Sequence, residues 1–196
     1  MYDDDADAFI DQTFAECVGR DGLVVDVRCN AGGRTADRLI DVLCGSRHER
    51  VLYRGVTAES YMFERWGRPV VPDLPVVVLA NERTVSNGEE FTHAMQTLKR
   101  AKVVGRQTAG DVIGIVRVNL LDYGEVWRPR SGFFLPDGRD MEGNGAKPDV
   151  EVDMTPADVA AGRDPQLDAA LDVLAAEVSA REPRPPLRFA PGTREK

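Results

Sequence analysis

Apolar and polar positions alternate along this chain in a helix–strand rhythm. Between residues 3 and 18 the apolar positions Phe9, Ile10, Phe14, Cys17 and Val18 recur at helical spacing. Acidic residues crowd the leading end of that stretch, where the helix dipole favours them. After the Asp21-Gly22 turn, Leu23-Val24-Val25-Asp26-Val27-Arg28 predicts a buried strand, and Cys29-Asn30-Ala31-Gly32-Gly33 a glycine turn. Leu39, Ile40, Leu43 and Cys44 predict a helix over about 35–44, stopped by Gly45. Val51-Leu52-Tyr53 predicts a short strand, and residues 54–73 are irregular and aromatic, with Tyr61, Phe63 and Trp66. Residues 75–80 form a second strand, wholly apolar in the manner of parallel sheets covered on both faces. A helix over 86–100 presents Phe91, Ala94, Met95 and Leu98 on one face, and Val103-Val104-Gly105 predicts a third strand.

That alternation is the α/β pattern with a mostly parallel sheet. From 112 to 153 the pattern breaks into short β pieces (113–119, 125–128, 150–153) separated by glycine and proline turns. Leu167, Leu171, Leu174 and Val178 predict a final helix over 164–181, opening on Asp164-Pro165. Residues 182–196, rich in proline, arginine and glutamate, are expected to be a flexible tail behind a single domain over 1–181.

Charge narrows the partners. A net charge of −8 argues against nucleic acid or an anionic membrane, both of which select basic surfaces. Cys17, Cys29 and Cys44 stand at no metal-ligand spacing and read as small buried hydrophobes, which fits a reducing, cytoplasmic location. No run approaches the roughly 20 apolar residues of a membrane span, and the first residues lack the basic and apolar regions of a signal peptide. No metal or cofactor fingerprint is present, so neither is expected.

Three segments could carry chemistry. In Asn81-Glu82-Arg83-Thr84-Val85-Ser86-Asn87-Gly88-Glu89, a strand gives way to a helix and sets a hydroxyl beside unsatisfied helix N–H groups. A nucleophilic serine uses that arrangement, and so does a plain N-cap, since Ser86 with Glu89 spells a capping box. Gly32-Gly33 lets backbone approach a ligand closely, or serves only as a tight turn. The polar loop 138–150 offers carboxylates that could orient a base, or simply be solvated.

In order and together, these segments resemble the C-terminal-processing and tricorn type of serine peptidase, whose fold is related to the crotonases and the caseinolytic protease. The resemblance rests on Gly22–Arg28 with Gly32-Gly33, Asn81-Glu82 with Ser86-Asn87-Gly88-Glu89, and Val104–Gly110. It continues in Glu142-Gly143-Asn144-Gly145 with Pro148–Val152, and in Gly162–Leu167. It implies Ser86 as nucleophile, the backbone N–H groups of Gly33 and Asn87 as an oxyanion hole, and Glu142 as the glutamate of the charge network. The serine–lysine branch would place its lysine at position 111, where this chain has Asp111, so the tricorn branch is preferred. That branch takes its histidine base from a segment N-terminal to the residues present here. Of the two histidines, His93 lies two turns beyond Ser86 on the same helix, roughly 10 Å away, and His48 follows a helix end. The resemblance implies hydrolysis of peptides or unfolded polypeptides and a possible homo-oligomer. Alternatives are a non-catalytic ligand-binding domain on the same scaffold, to which Tyr61, Phe63 and Trp66 could contribute, and acyl-thioester chemistry.

Overall fold

The computed structural model describes residues 3–17, 20–45, 64–65, 68–69, 74–121 and 123–182. In chain order the elements are α1 (Asp3–Glu16), β1 (Leu23–Asp26), α2 (Ala36–Cys44), β2 (Glu64–Arg65) and β3 (Arg68–Pro69). They continue with β4 (Val76–Ala80), α3 (Asn87–Thr97), β5 (Lys102–Gly105), β6 (Ile113–Asn119) and β7 (Glu125–Gly132). The last are β8 (Val150–Glu151), α4 (Pro156–Ala160) and α5 (Pro165–Ala180). The expected strand at 51–53, the aromatic residues Tyr61, Phe63 and Trp66, and the tail from 183 onward lie outside the described residues.

Four strands pair in parallel in the order β1-β4-β5-β8. The wholly apolar β4 occupies the interior of this sheet and is buried along its length. Its side chains alternate between the two faces, as a strand requires. Val76, Val78 and Ala80 join the core beneath α1, α2 and α3, together with Leu39, Leu43, Phe91 and Met95. Val77 and Leu79 face the other way, onto α5 through Ala170 and Leu174. The layers are therefore helix, sheet, helix, as the α/β pattern predicts. Close contact fixes α5 on β1: a Cβ at Gly22 would sit 2.7 Å from Leu174 Cδ1. A side-chain clasp fixes the other end. The Arg28 guanidinium donates to Asp26 at 2.7 Å and to Asp164, the N-cap of α5, at 2.8 Å. These bonds push the Arg28 pKa upward and hold Asp164 below the usual carboxylate range.

Three features depart from expectation. Cys29 is exposed rather than buried: its backbone turns left-handed (φ 58°) as the chain leaves β1, which carries the thiol outward beside Asn81. Cys17 is buried and Cys44 half-buried. Helix α4 was not expected; Thr155 and Asp158 form a capping box that stabilises its five residues. The β-rich segment exists, but β6 and β7 form a separate antiparallel hairpin that packs chiefly on itself. Trp127 on that hairpin is 60% exposed, with Arg117 stacked 5.0 Å from its ring centre.

Burial therefore predicts unequal mutational effects. Phe91→Ala, which empties a fully buried site in the core, is expected to lower unfolding free energy by about 3–5 kcal/mol in urea melts. Trp127→Ala should lower it by less than about 1 kcal/mol. Equal losses at the two sites would contradict the assignment of the core.

Candidate functional site

The carboxyl ends of β1 and β4 lie side by side, and the loops leaving them are stitched together. Thr84 Oγ1 donates to the Val27 carbonyl at 2.9 Å, and the Val85 N–H to the Asn30 carbonyl at 2.8 Å. Asn81 Oδ1 accepts the Cys29 N–H at 3.0 Å. This stitching delivers Ser86 to the start of α3 in a fixed position.

Ser86 has φ 54° and ψ −118°, a backbone conformation that L-residues avoid and that costs on the order of 1–3 kcal/mol. Ordinary N-caps are extended and need no such strain. The hydroxyl faces the Glu89 N–H as in a capping box but makes no capping hydrogen bond of normal geometry. Ser86 is thus the first residue of a sharp strand-to-helix elbow, and capping alone does not account for its shape.

The glycine loop closes on this elbow. A Cβ on Gly32 (φ 97°) would meet the Ser86 Cβ at 2.9 Å and its Oγ at 3.3 Å, so only glycine fits. Neither the Gly33 N–H nor the Asn87 N–H has an acceptor among the described residues. The Asn87 side chain is engaged elsewhere. Its Oδ1 accepts the N–H groups of Thr35 and Ala36 at 2.7 and 2.8 Å, which caps α2 and pins the glycine loop to α3. Its Nδ2 donates to Glu90 at 3.1 Å. Burial raises the Glu90 pKa; that hydrogen bond opposes the shift and nearby Asp37 adds to it.

Beneath the elbow lies Glu89, wholly buried. Its Oε1 accepts the N–H groups of Ser86 (3.2 Å) and Asp111 (2.8 Å); its Oε2 accepts the Thr108 hydroxyl (2.5 Å) and the Gly110 N–H (2.6 Å). Sequence reasoning saw Glu89 only as the far half of a capping box. That pattern was its one local signal, because its other partners come from residues 108–111.

Glu142 stands one step away from Ser86. Half-buried, it accepts the Val112 N–H at 2.7 Å, and the preceding residue, Asp111, receives the Ser86 N–H on its carbonyl at 3.0 Å. Among the described residues no hydrogen bond joins Glu142 to Ser86 directly. Asp111, at the place of the lysine of the other branch, uses its backbone here while its side chain is exposed. His93 is buried on α3 and hydrogen-bonded to the Asn144 backbone; desolvation lowers its pKa. His48 lies outside the described residues. No group of three or more His, Cys, Asp or Glu among the described residues could hold a metal. A cleft of about 840 Å³ opens beyond the strand ends, bordered by Cys29, Asn81, Arg83, Arg106 and Asp153.

A parallel α/β sheet with a strained serine elbow facing a glycine loop defines a class of serine-hydrolase-like architecture. The match to known proteins is more specific: residues 2–152 fit the model of peptidase family S41, and the chain belongs to that family. It is 42% identical over 156 residues to tricorn protease homolog 1 of Streptomyces coelicolor, covering 79% of this chain and 14% of that protein. It is 32% identical over 159 residues to the tricorn protease of Thermoplasma acidophilum, covering 80% of this chain and 14% of the relative. The crystal structure of the tricorn protease superposes with a TM-score of 0.71 at 30% identity, over 83% of this chain and 16% of that one. The photosystem II D1 C-terminal processing protease superposes at 0.53 and 25% identity, over 86% of this chain and 42% of the other. The chain thus spans about one seventh of the length of these tricorn relatives.

Two substitutions test the elbow. Ser86→Gly relieves the strained backbone and is expected to be more stable than Ser86→Ala by about 1–2 kcal/mol. Glu89→Gln, which turns an amide donor toward N–H groups, should lower stability by about 3 kcal/mol. Chemical denaturation reads both, and a neutral Glu89→Gln would show that the buried carboxylate does not hold the site.

Proposed function

We propose that this chain is the catalytic core of a serine peptidase of tricorn type and that Ser86 is its nucleophile. One observation carries the reading: a serine held in a strained elbow against Gly32, next to the Gly33 and Asn87 N–H groups of the same two loops, which have no acceptor among the described residues. A non-catalytic binding domain has no use for that strain. In the proposed reaction Ser86 Oγ bonds to the scissile carbonyl carbon as its proton passes to a base, and the carbonyl electrons move onto oxygen. The Gly33 and Asn87 N–H groups then donate to that oxyanion. Collapse breaks the C–N bond, the amine leaves with the proton returned by the base, and water hydrolyses the acyl-enzyme.

The base in this proposal is a histidine outside the chain, since His93 is turned toward Asn144. Glu142 completes the charge network that orients that base, with Val112 fixing its carboxylate. The substrate is a peptide or unfolded polypeptide, added as a strand to a sheet edge. A cytoplasmic location is supported by the three free cysteines. Among the described residues no helix is long and apolar enough to cross a membrane.

Mass spectrometry after fluorophosphonate treatment tests the assignment. With the chain extended upstream to supply the histidine, one covalent adduct is expected, and none in Ser86→Ala. Removing an oxyanion donor is expected to slow turnover by about 10²–10³. An extended chain that forms no Ser86-dependent adduct would overturn the proposal.

A further inference from the structure

The glycine loop is tied to the serine elbow on both sides. Val85 donates its N–H to the Asn30 carbonyl at 2.8 Å, and Asn87 Oδ1 accepts the N–H groups of Thr35 and Ala36 at 2.7 and 2.8 Å. Val85 and Asn87 flank Ser86; Asn30 and Thr35 flank Gly32-Gly33. Between the two ties the Asn30 side chain braces the loop, accepting the Gly32 N–H on Oδ1 at 2.9 Å.

Capping of α2 does not account for the second tie. Thr35 stands at the N-cap of α2, a place to which threonine is suited. Its hydroxyl nevertheless makes no capping bond and, wholly buried, has no partner among the described residues. Leaving such a group unpaired is unfavourable. Its backbone (φ −119°, ψ 7°) is not the extended one of an ordinary N-cap either. The start of α2 is set instead by a side chain 52 residues further along. That side chain belongs to the residue whose own N–H is one oxyanion donor of the proposed reaction. Gly33, which carries the other, stands two residues before Thr35.

The amide is also held the right way round. Its Nδ2 donates to Glu90 at 3.1 Å, and an ionised carboxylate only accepts, so Oδ1 is left to the two N–H groups. An apolar side chain would do neither, and a carboxylate would meet Glu90 with a second negative charge.

We propose that the Asn87 side chain is a positioning residue for the oxyanion hole. Through Thr35 and Ala36 it fixes Gly33 relative to the Asn87 N–H, so that the two donors keep one spacing. The inference rests on the peptidase reading, in which those N–H groups receive the oxyanion.

The rate at which a fluorophosphonate modifies Ser86 in the upstream-extended chain reads the donors. Ser86 Oγ bonds to phosphorus, its proton passes to the base, and the P=O electron pair moves onto oxygen; collapse then expels fluoride. Asn87→Ala is expected to slow this at least about tenfold, since a shift of about 1 Å costs up to roughly 10² in rate. Circular dichroism should show the variant folded, so that loss of folded protein does not account for the slowing. In Asn87→Asp/Glu90→Gln the new carboxylate takes the same two N–H groups and accepts from the new amide. The rate should return to within about threefold of the parent, a rescue that a side chain needed only for bulk would not give. Where Asn87→Ala does not fold, Asn87→Ser replaces it with the same expectation, its hydroxyl being one bond shorter than the Oδ1 it removes. A folded Asn87→Ala or Asn87→Ser reacting within about threefold of the parent sinks the inference, as does a double variant as slow as the single one. If the parent forms no Ser86-dependent adduct, the peptidase reading itself falls and the positioning role with it.

Discussion

The Glu89 carboxylate is buried with no ion pair among the described residues, and four hydrogen bonds are what make that tolerable. The donors exist only if residues 108–111 fold against the first turn of α3. The elbow and that loop therefore form together or not at all. Connections spread outward from the same knot. The Thr108 hydroxyl that donates to Glu89 also accepts the Ala146 N–H at 2.7 Å. The Gly143 N–H donates to the Gly110 carbonyl at 2.7 Å, and no side chain could stand at Gly145, where a Cβ would meet the Thr108 carbonyl oxygen at 2.0 Å. Ser86 and Glu142, joined by no direct hydrogen bond among the described residues, are held in register through this network.

The sheet and its helices were legible in the sequence because their determinants are local. A five-residue apolar run rich in valine suits a covered strand, and the spacing of Leu39, Ile40 and Leu43 suits one buried helix face. The site was legible in outline for a related reason: the strand-turn-helix around Ser86 and the glycines after β1 are short motifs. What the sequence hid depends on distant partners. Nothing near Asn87 indicates that its amide caps α2, and nothing near Glu89 names Thr108. Cys29 was misread because composition says buried, whereas the left-handed turn after β1 decides otherwise. The alternating residues of β6 and β7 would suit a half-buried sheet, yet every residue of β7 is exposed.

Around Ser86 the polar side chains are spent on holding the loops together. The first turn of α3 shows how this selects a single donor. A helix N-terminus offers several unpaired N–H groups, all of them attractive to an anion. Here the Gly88 N–H folds back onto the Val85 carbonyl at 3.1 Å, and those of Glu89 and Glu90 onto the Ser86 carbonyl at 2.8 and 3.0 Å. The Ser86 N–H itself is shared between the Asp111 carbonyl and Glu89. Of this turn only the Asn87 N–H remains. The Ser86 carbonyl accepts from the first turn as N-cap carbonyls do, and the Val85 carbonyl and the Glu89 carboxylate take up the neighbouring donors. Backbone and side-chain acceptors together thus narrow a generic helix end to one donor without a partner among the described residues, the Asn87 N–H.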